Sequence, residues 1–255
     1  MGYFILLLSG VFFGLFGSGG SVLIIPALIY LFNMPIYDAT NYSLVIVLVS
    51  SLTGTVKHFT QNNLYVRKSL YCGVPALVLT LITRLCLFPK IPISIECFGV
   101  IFSKQFLLML LFVLILIISS ISMIKAHQIN IKFNSKLALC LIGAFVGTIT
   151  GLLGIGGGFL MVPALMIFGK MDMRASASSA LFIIMLNTLT AIIVELFILN
   201  YTFDFSFLII LISVSLLGLM IGIYLLNKIQ LHVVKKIFSV CLLLLSMLIV
   251  CIELI

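Results

Sequence analysis

Apolar positions run almost unbroken along this chain, and the polar residues between them come in short clusters. Eight apolar stretches stand out, at roughly 3–33, 40–59, 69–88, 99–124, 137–168, 175–199, 205–226 and 233–254. A helix needs about 20 apolar residues to cross a bilayer core, and each stretch has them. The breaks leave no room for a soluble domain. The most polar of them, 125–136, holds His127, Gln128, Asn130 and Asn134 and divides the stretches four and four.

Within this pattern the first and fifth stretches carry near-copies of one segment. Gly14–Leu28 reads GLFGSGGSVLIIPAL and Gly151–Leu165 reads GLLGIGGGFLMVPAL, aligned without a gap at an offset of 137 positions, with nine of fifteen identical. A glycine cluster followed by a proline inside an apolar run breaks a helix, and a repeated broken helix is a pointer to a transporter's binding site. The similarity continues: Ala39-Thr40-Asn41-Tyr42-Ser43 answers Ala175-Ser176-Ala177-Ser178-Ser179. Hydroxyls there serve either as helix caps or as a polar pocket wall. The predicted fold is all-α: a polytopic membrane protein of about eight transmembrane helices in two homologous repeats. The repeats are 1–124 and 137–255, joined by the linker 125–136, each with a Gly/Pro-broken first helix.

Composition agrees with that class. Hydrophobic residues make up 64% of the 255 and charged residues 8%, against roughly 25% charged in a soluble domain. The net charge of +8 lies mostly in short loops, as the positive-inside bias and anionic headgroups require, and does not imply nucleic acid. Counted on its own loops, each half prefers the opposite orientation, the mark of inverted repeats. Two four-span halves would be parallel, however. Either one broken segment does not cross fully, or a further partial crossing lies near 91–102. Residues 3–16 resemble a signal-peptide core, but no basic residue precedes them and the supposed cleavage region is the repeated segment. They are expected to belong to the fold.

Irregular backbone at membrane depth is tolerated only where it is buried in protein or lines a watery cavity. A helix restarting after each glycine cluster presents free N–H groups and about half a positive charge, an anion site. Two such termini supply at most ~2 kcal/mol each, whereas stripping water from an anion costs tens of kcal/mol. Hydroxyls, further hydrogen bonds and retained water are therefore needed as well. The substrate-binding candidates are Gly17, Ser18, Gly19, Gly20, Ser21 and Pro26, with Gly154, Gly156, Gly157, Gly158 and Pro163. Thr40, Asn41, Ser43, Ser176 and Ser179 join them. The bland alternative is that the glycines only allow close packing, which suffices for Gly218-x-x-x-Gly222.

Charges in the apolar runs are functional candidates by default. Arg84, Lys104, His58 and Glu195 all lie near enough to a segment end to snorkel. His58 and Glu195 are the preferred coupling candidates, because they mark the same place in the two halves.

The duplicated glycine–proline segment, the hydroxyl-rich turn after it, His58 with Asn62-Asn63, and Gly218-x-x-x-Gly222 with the basic loop near Lys228 resemble the TauE/SafE family. The resemblance covers nearly the whole chain. It implies a plasma-membrane (inner-membrane) permease of about eight spans without an ATP-binding part. Such a permease exports sulfite, sulfonates or related organosulfur anions, and protons are the candidate coupling ion. The third segment, with Pro75 and Arg84, departs from the glycine-rich packing of relatives. No catalytic residue, metal or cofactor is predicted, and homo-oligomerisation is left open. An intramembrane hydrolase using Ser18 and His58 is disfavoured, since Ile155 replaces Ser18 in the second copy. The alternative of another class is a non-transporting membrane assembly or partner-binding protein.

Overall fold

The computed structural model describes residues 1–17, 20–59, 65–87, 90, 92, 94–97, 100–125, 135–153, 157–226, 228–229 and 231–254. The apolar stretches fold as helices: α1 (Gly2–Phe16), α2 (Ser21–Phe32), α3 (Ile36–Phe59), α4 (Val66–Ile82), α5 (Lys104–Lys125), α6 (Ser135–Leu153), α7 (Gly158–Ile167), α8 (Met173–Ile193), α9 (Phe205–Leu226) and α10 (Leu231–Leu254). One turn of wide π-helix extends α4 over Thr83–Leu87, and another extends α8 over Val194–Ile198. An antiparallel hairpin, β1 (Ser94–Cys97) with β2 (Val100–Ser103), is an addition to the all-α expectation. Seven helices among the described residues are long and apolar enough to cross a bilayer, whereas α1, α2 and α7 are shorter. This is a helical, multi-pass membrane protein.

The glycine clusters fall between helices, and there the chain reverses. Gly17 closes α1 in the left-handed region at φ 73°, and Gly157 opens α7 at φ 65°. A side chain would strain either turn. Past the first turn α2 runs back along α1. Gly20 packs on the Ser9 carbonyl and the Phe13 ring, and the Phe32 ring reaches Gly2 and stacks edge-on against Tyr3 at 5.3 Å. The second turn behaves alike. Gly157 lies on Val146 and Thr150, while Met161 and Gly143 both contact Cys72. Stretches 3–33 and 137–168, expected as single spans with a break, are thus helical hairpins. Pro26 and Pro163 sit buried inside the returning helices α2 and α7.

Packing crosses between the two halves of the sequence. Helix α1 lies parallel to α9, where Gly10 meets Ser215 and Gly14 meets Leu219 and Gly222. Helix α4 lies parallel to α6, with Gly143 on Cys72, Gly147 on Ala76 and Gly151 on Thr80 and Thr83. Helices α3 and α8 are antiparallel, since Asn41 meets Glu195 and Gly54 meets Leu181. Helices α5 and α10 also pack together, and Ser120 Oγ donates to the Ser239 carbonyl at 2.9 Å.

The α1–α9 seam is close enough for a direct check. A Cβ on Gly222 would overlap the Val11 carbonyl and stand 2.9 Å from the Gly14 Cα. Backbone cannot yield as a flexible side chain can, and overpacking costs about 1–3 kcal/mol. Gly222→Val is therefore expected to lower the melting temperature in detergent by several degrees. Leu217→Val, at a lipid-facing position of the same helix, should leave it nearly unchanged. Equal melting temperatures for the two variants would mean that the seam is loose.

Candidate functional site

One polar cluster is built where α3, the π turns after α4 and α8, and the last turn of α6 meet. The π turns matter because a widened turn displaces the side chains beyond it from the ordinary helical register, a device common at functional sites. Arg84 lies on the first and Glu195 on the second. Both are fully buried, and Arg84 Nε donates to Glu195 Oε1 at 2.5 Å. The other carboxylate oxygen, Oε2, accepts from Tyr37 OH at 2.7 Å and from Asn41 Nδ2 at 3.2 Å. Arg84 further donates through Nη2 to Asn41 Oδ1 and through Nη1 to the Gly151 carbonyl at 3.3 Å. Gly151 belongs to the last turn before the second glycine cluster. The cluster thus binds both halves of the sequence together at one glycine turn.

An aromatic roof shuts this end of the bundle. Tyr201 packs edge-on against Tyr37 at 5.6 Å and against Phe203 at 4.8 Å. Its hydroxyl donates to Asp38 Oδ1 at 2.7 Å. Burial, and then that hydrogen bond, push the Tyr201 phenol above its ordinary pKa, so it stays a neutral donor. The Asp204 backbone N–H donates to Tyr42 OH at 2.9 Å, anchoring the loop. Arg84 and Glu195, near enough to segment ends to snorkel, are instead fully buried and paired with each other. The 199–204 loop packs on the start of α3 beside Glu195.

The sequence-predicted residues fall unevenly around this cluster. Asn41 and Glu195 are in it. Thr40 is buried but donates back to the Tyr37 carbonyl of its own helix at 2.8 Å, and Ser43 is buried on α3. Gly17 and Gly20 are buried at the other glycine turn, and Ser21 opens α2. Gly17 abuts Ala177, so this turn faces the start of α8 just as the second turn faces Arg84 and Asn41 near the start of α3. Gly157 and Gly158 form the start of α7, and Pro163 lies further along it. Ser176 is buried with its hydroxyl 3.5 Å from the Met171 carbonyl. Ser179 is buried, and its hydroxyl has no partner among the described residues. Ser18, Gly19, Gly154 and Gly156 lie outside the described residues, as does the side chain of His58. The backbone of position 58 is at the far end of α3 from Asn41, hence at the opposite end of the bundle from Glu195. Glu195 is therefore paired with Arg84. Tyr37 is the residue the sequence did not single out; Arg84 was a candidate as a charge in an apolar run, but not one of the preferred coupling pair.

The capping question resolves toward burial. No side chain caps α8, whose N-cap position is Asp172, and Ser176 and Ser179 lie a turn or more inside the helix. Buried polar atoms nearly always find partners, so the exceptions mark room for water or a ligand. Besides Ser179, these are, among the described residues, Thr55 Oγ1, Thr83 Oγ1 and the whole Asn187 amide. Away from the cluster, Arg67, Lys68, Tyr71, Lys136 and Lys170 line a cavity of about 320 Å³ beside the starts of α4 and α6. Its four cations would raise the local concentration of anions.

Seven candidate spans among the described residues, with a buried, hydrogen-bonded ion pair at the end of two of them, define an integral membrane protein. The Sulfite exporter TauE/SafE family profile matches residues 3–249, and the chain belongs to that family of membrane transporters. A "Probable membrane transporter protein" of Methanocaldococcus jannaschii is 29% identical over 61% of this chain and 57% of its own length. The match thus spans little more than half of that relative. "Probable membrane transporter protein YdhB" of Bacillus subtilis is 26% identical over 71% of each chain. A "Probable membrane transporter protein" of Xylella fastidiosa is 28% identical over 68% of this chain and 65% of its own length. No solved structure matches the chain.

Proposed function

We propose that this protein is a secondary transporter in the plasma membrane. It moves a small anion (sulfite, a sulfonate or another organosulfur anion) with protons as the coupling ion, and it is not an enzyme. The carrying observation is the fully buried Arg84, a cation at membrane depth beside a glycine turn. Retaining an arginine there is costly, and such charges mark substrate or ion pathways. The second glycine turn contributes the helix start of α7 as a further anion-facing dipole on that side. The Thr83 hydroxyl next to Arg84, unpaired among the described residues, offers a further hydrogen bond.

The same reading takes α1–α5 and α6–α10 as two repeats of inverted topology. Counting each hairpin as two passes gives five per half, and an odd number inverts the second half. The pairings support it: α1 with α9 and α6 with α4 are parallel, whereas α3 with α8 is antiparallel. Such a relation supplies alternating access by rocking one repeat on the other. Of the two coupling candidates, Glu195 is buried in the ion pair with Arg84, whereas the side chain of His58 lies outside the described residues.

Purified protein in liposomes should show saturable flux of labelled sulfite or of a short alkyl sulfonate above protein-free liposomes. An imposed proton gradient should drive that flux uphill. Absence of flux with sulfite, sulfonate and sulfate alike would favour the non-transporting assembly.

A further inference from the structure

Three hydrogen-bond donors from two separate elements converge on one carboxylate. Arg84 Nε comes from the π turn after α4, and Tyr37 OH and Asn41 Nδ2 come from α3. One guanidinium N–H with a hydroxyl and an amide N–H on the far side is a donor set that suits an oxyanion such as sulfite or a sulfonate. Here the occupant is the protein's own Glu195. We infer that Glu195 is a tethered counter-anion filling the substrate's place on Arg84, and that transport requires the anion to displace it. This inference rests on the transporter reading and names the site and its internal competitor.

Two further observations point the same way. Thr83, the residue before Arg84, is fully buried and its hydroxyl is unpaired among the described residues. A three-oxygen anion on Arg84 would bring acceptors that a two-oxygen carboxylate lacks. Glu195 is also held on a π turn rather than in regular helix, and Leu199 and Tyr201 bond back to the Val194 and Glu195 carbonyls at 3.0 and 2.9 Å. Its segment is the end of α8 joined to the loop that carries the roof. Movement of that loop would withdraw the carboxylate while leaving Arg84, Asn41 and Tyr37 in place on α3 and α4. The empty donor set would then leave a buried cation without its partner, a costly state. Either Glu195 or a transported anion must therefore sit on Arg84 as the protein cycles, which couples occupancy to conformation.

The test is anion self-exchange in proteoliposomes, read as KM and maximal rate for sulfite. In the resting protein an internal competitor lowers apparent affinity by the fraction of molecules whose site is free. Glu195→Gln keeps the shape and removes the charge. If about one site in ten is free in the native protein, this change should lower the KM about tenfold. Arg84→Gln should abolish exchange. The double variant Arg84→Gln with Glu195→Gln leaves no stranded charge, so it should fold, insert and remain inactive. A Glu195→Gln protein that is folded and active with an unchanged or raised KM would overturn the inference while leaving the transporter reading intact. If Glu195→Gln does not fold, Glu195→Asp is read instead. Its shorter reach should also lower the KM, and a KM equal to the native value overturns the inference. Native protein that exchanges no anion would instead defeat the transporter reading itself.

Discussion

Replacing Arg84 with alanine should destabilise the protein by about 3–5 kcal/mol, because it strands the buried Glu195 carboxylate. Glu195→Ala should cost a similar amount by stranding the guanidinium. Both are visible as shifts in denaturant unfolding in micelles. Replacing the pair together, as Arg84→Met with Glu195→Leu, should recover most of the loss, since apolar residues of like volume often match a buried pair in stability. Flux separates the two roles of the pair. Stability returns in the apolar double variant, whereas anion flux should not, since no cation remains to hold the substrate. A double variant that transports at the native rate would make the pair a structural clamp only.

That experiment concerns a contact the sequence half displayed. Glu195 and Asn41 were both visible as candidates, the first as a charge in an apolar run and the second in a polar turn repeated in both halves. Their meeting was not visible, because the repeat offset aligns counterparts and says nothing of which elements touch. It set His58 one position from the counterpart of Glu195 in the other half; the antiparallel packing of α3 on α8 instead sets Glu195 against Asn41. Arg84 lies as near a segment end as Glu195 does, and only the repeat set Glu195 ahead of it; distance from an end did not foretell that the two charges would be buried against each other. Glycine chemistry pointed to positions such as Gly17 and Gly157, which take positive φ at helix ends, whereas Pro26 and Pro163 sit inside helices α2 and α7. Reversal at the breaks was not legible, because a positive-φ glycine permits both a kink and a turn, and the choice depends on what α1 and α6 pack against.

The glycine turns carry the other large expected effect. Gly17→Val and Gly157→Val should each abolish transport, with the protein still inserted in the membrane. Two costs act together. A β-branched residue at φ 73° or 65° is a genuine outlier in left-handed backbone, and sparsely populated backbone states cost of order 1–3 kcal/mol each. Space is the second. A Cβ on Gly17 would stand 2.6 Å from the Ala177 Cβ and 2.9 Å from its backbone, and one on Gly157 would stand 2.6 Å from the Val146 side chain. The Ala177 contact involves backbone of α8, so relief at Gly17 requires the turn to move away from that helix. At Gly157 the obstacle is side chain, Val146 and Thr150, which can shift. Gly17→Val should therefore be the more damaging of the two. Asparagine tolerates the left-handed region, so Gly157→Asn should retain part of the flux while Gly17→Asn should not. Flux assays on protein extracted from membranes, with insertion verified by protease protection, read this ranking directly. Normal flux in Gly17→Val would show that the turn serves only to reverse the chain and that the anion passes elsewhere.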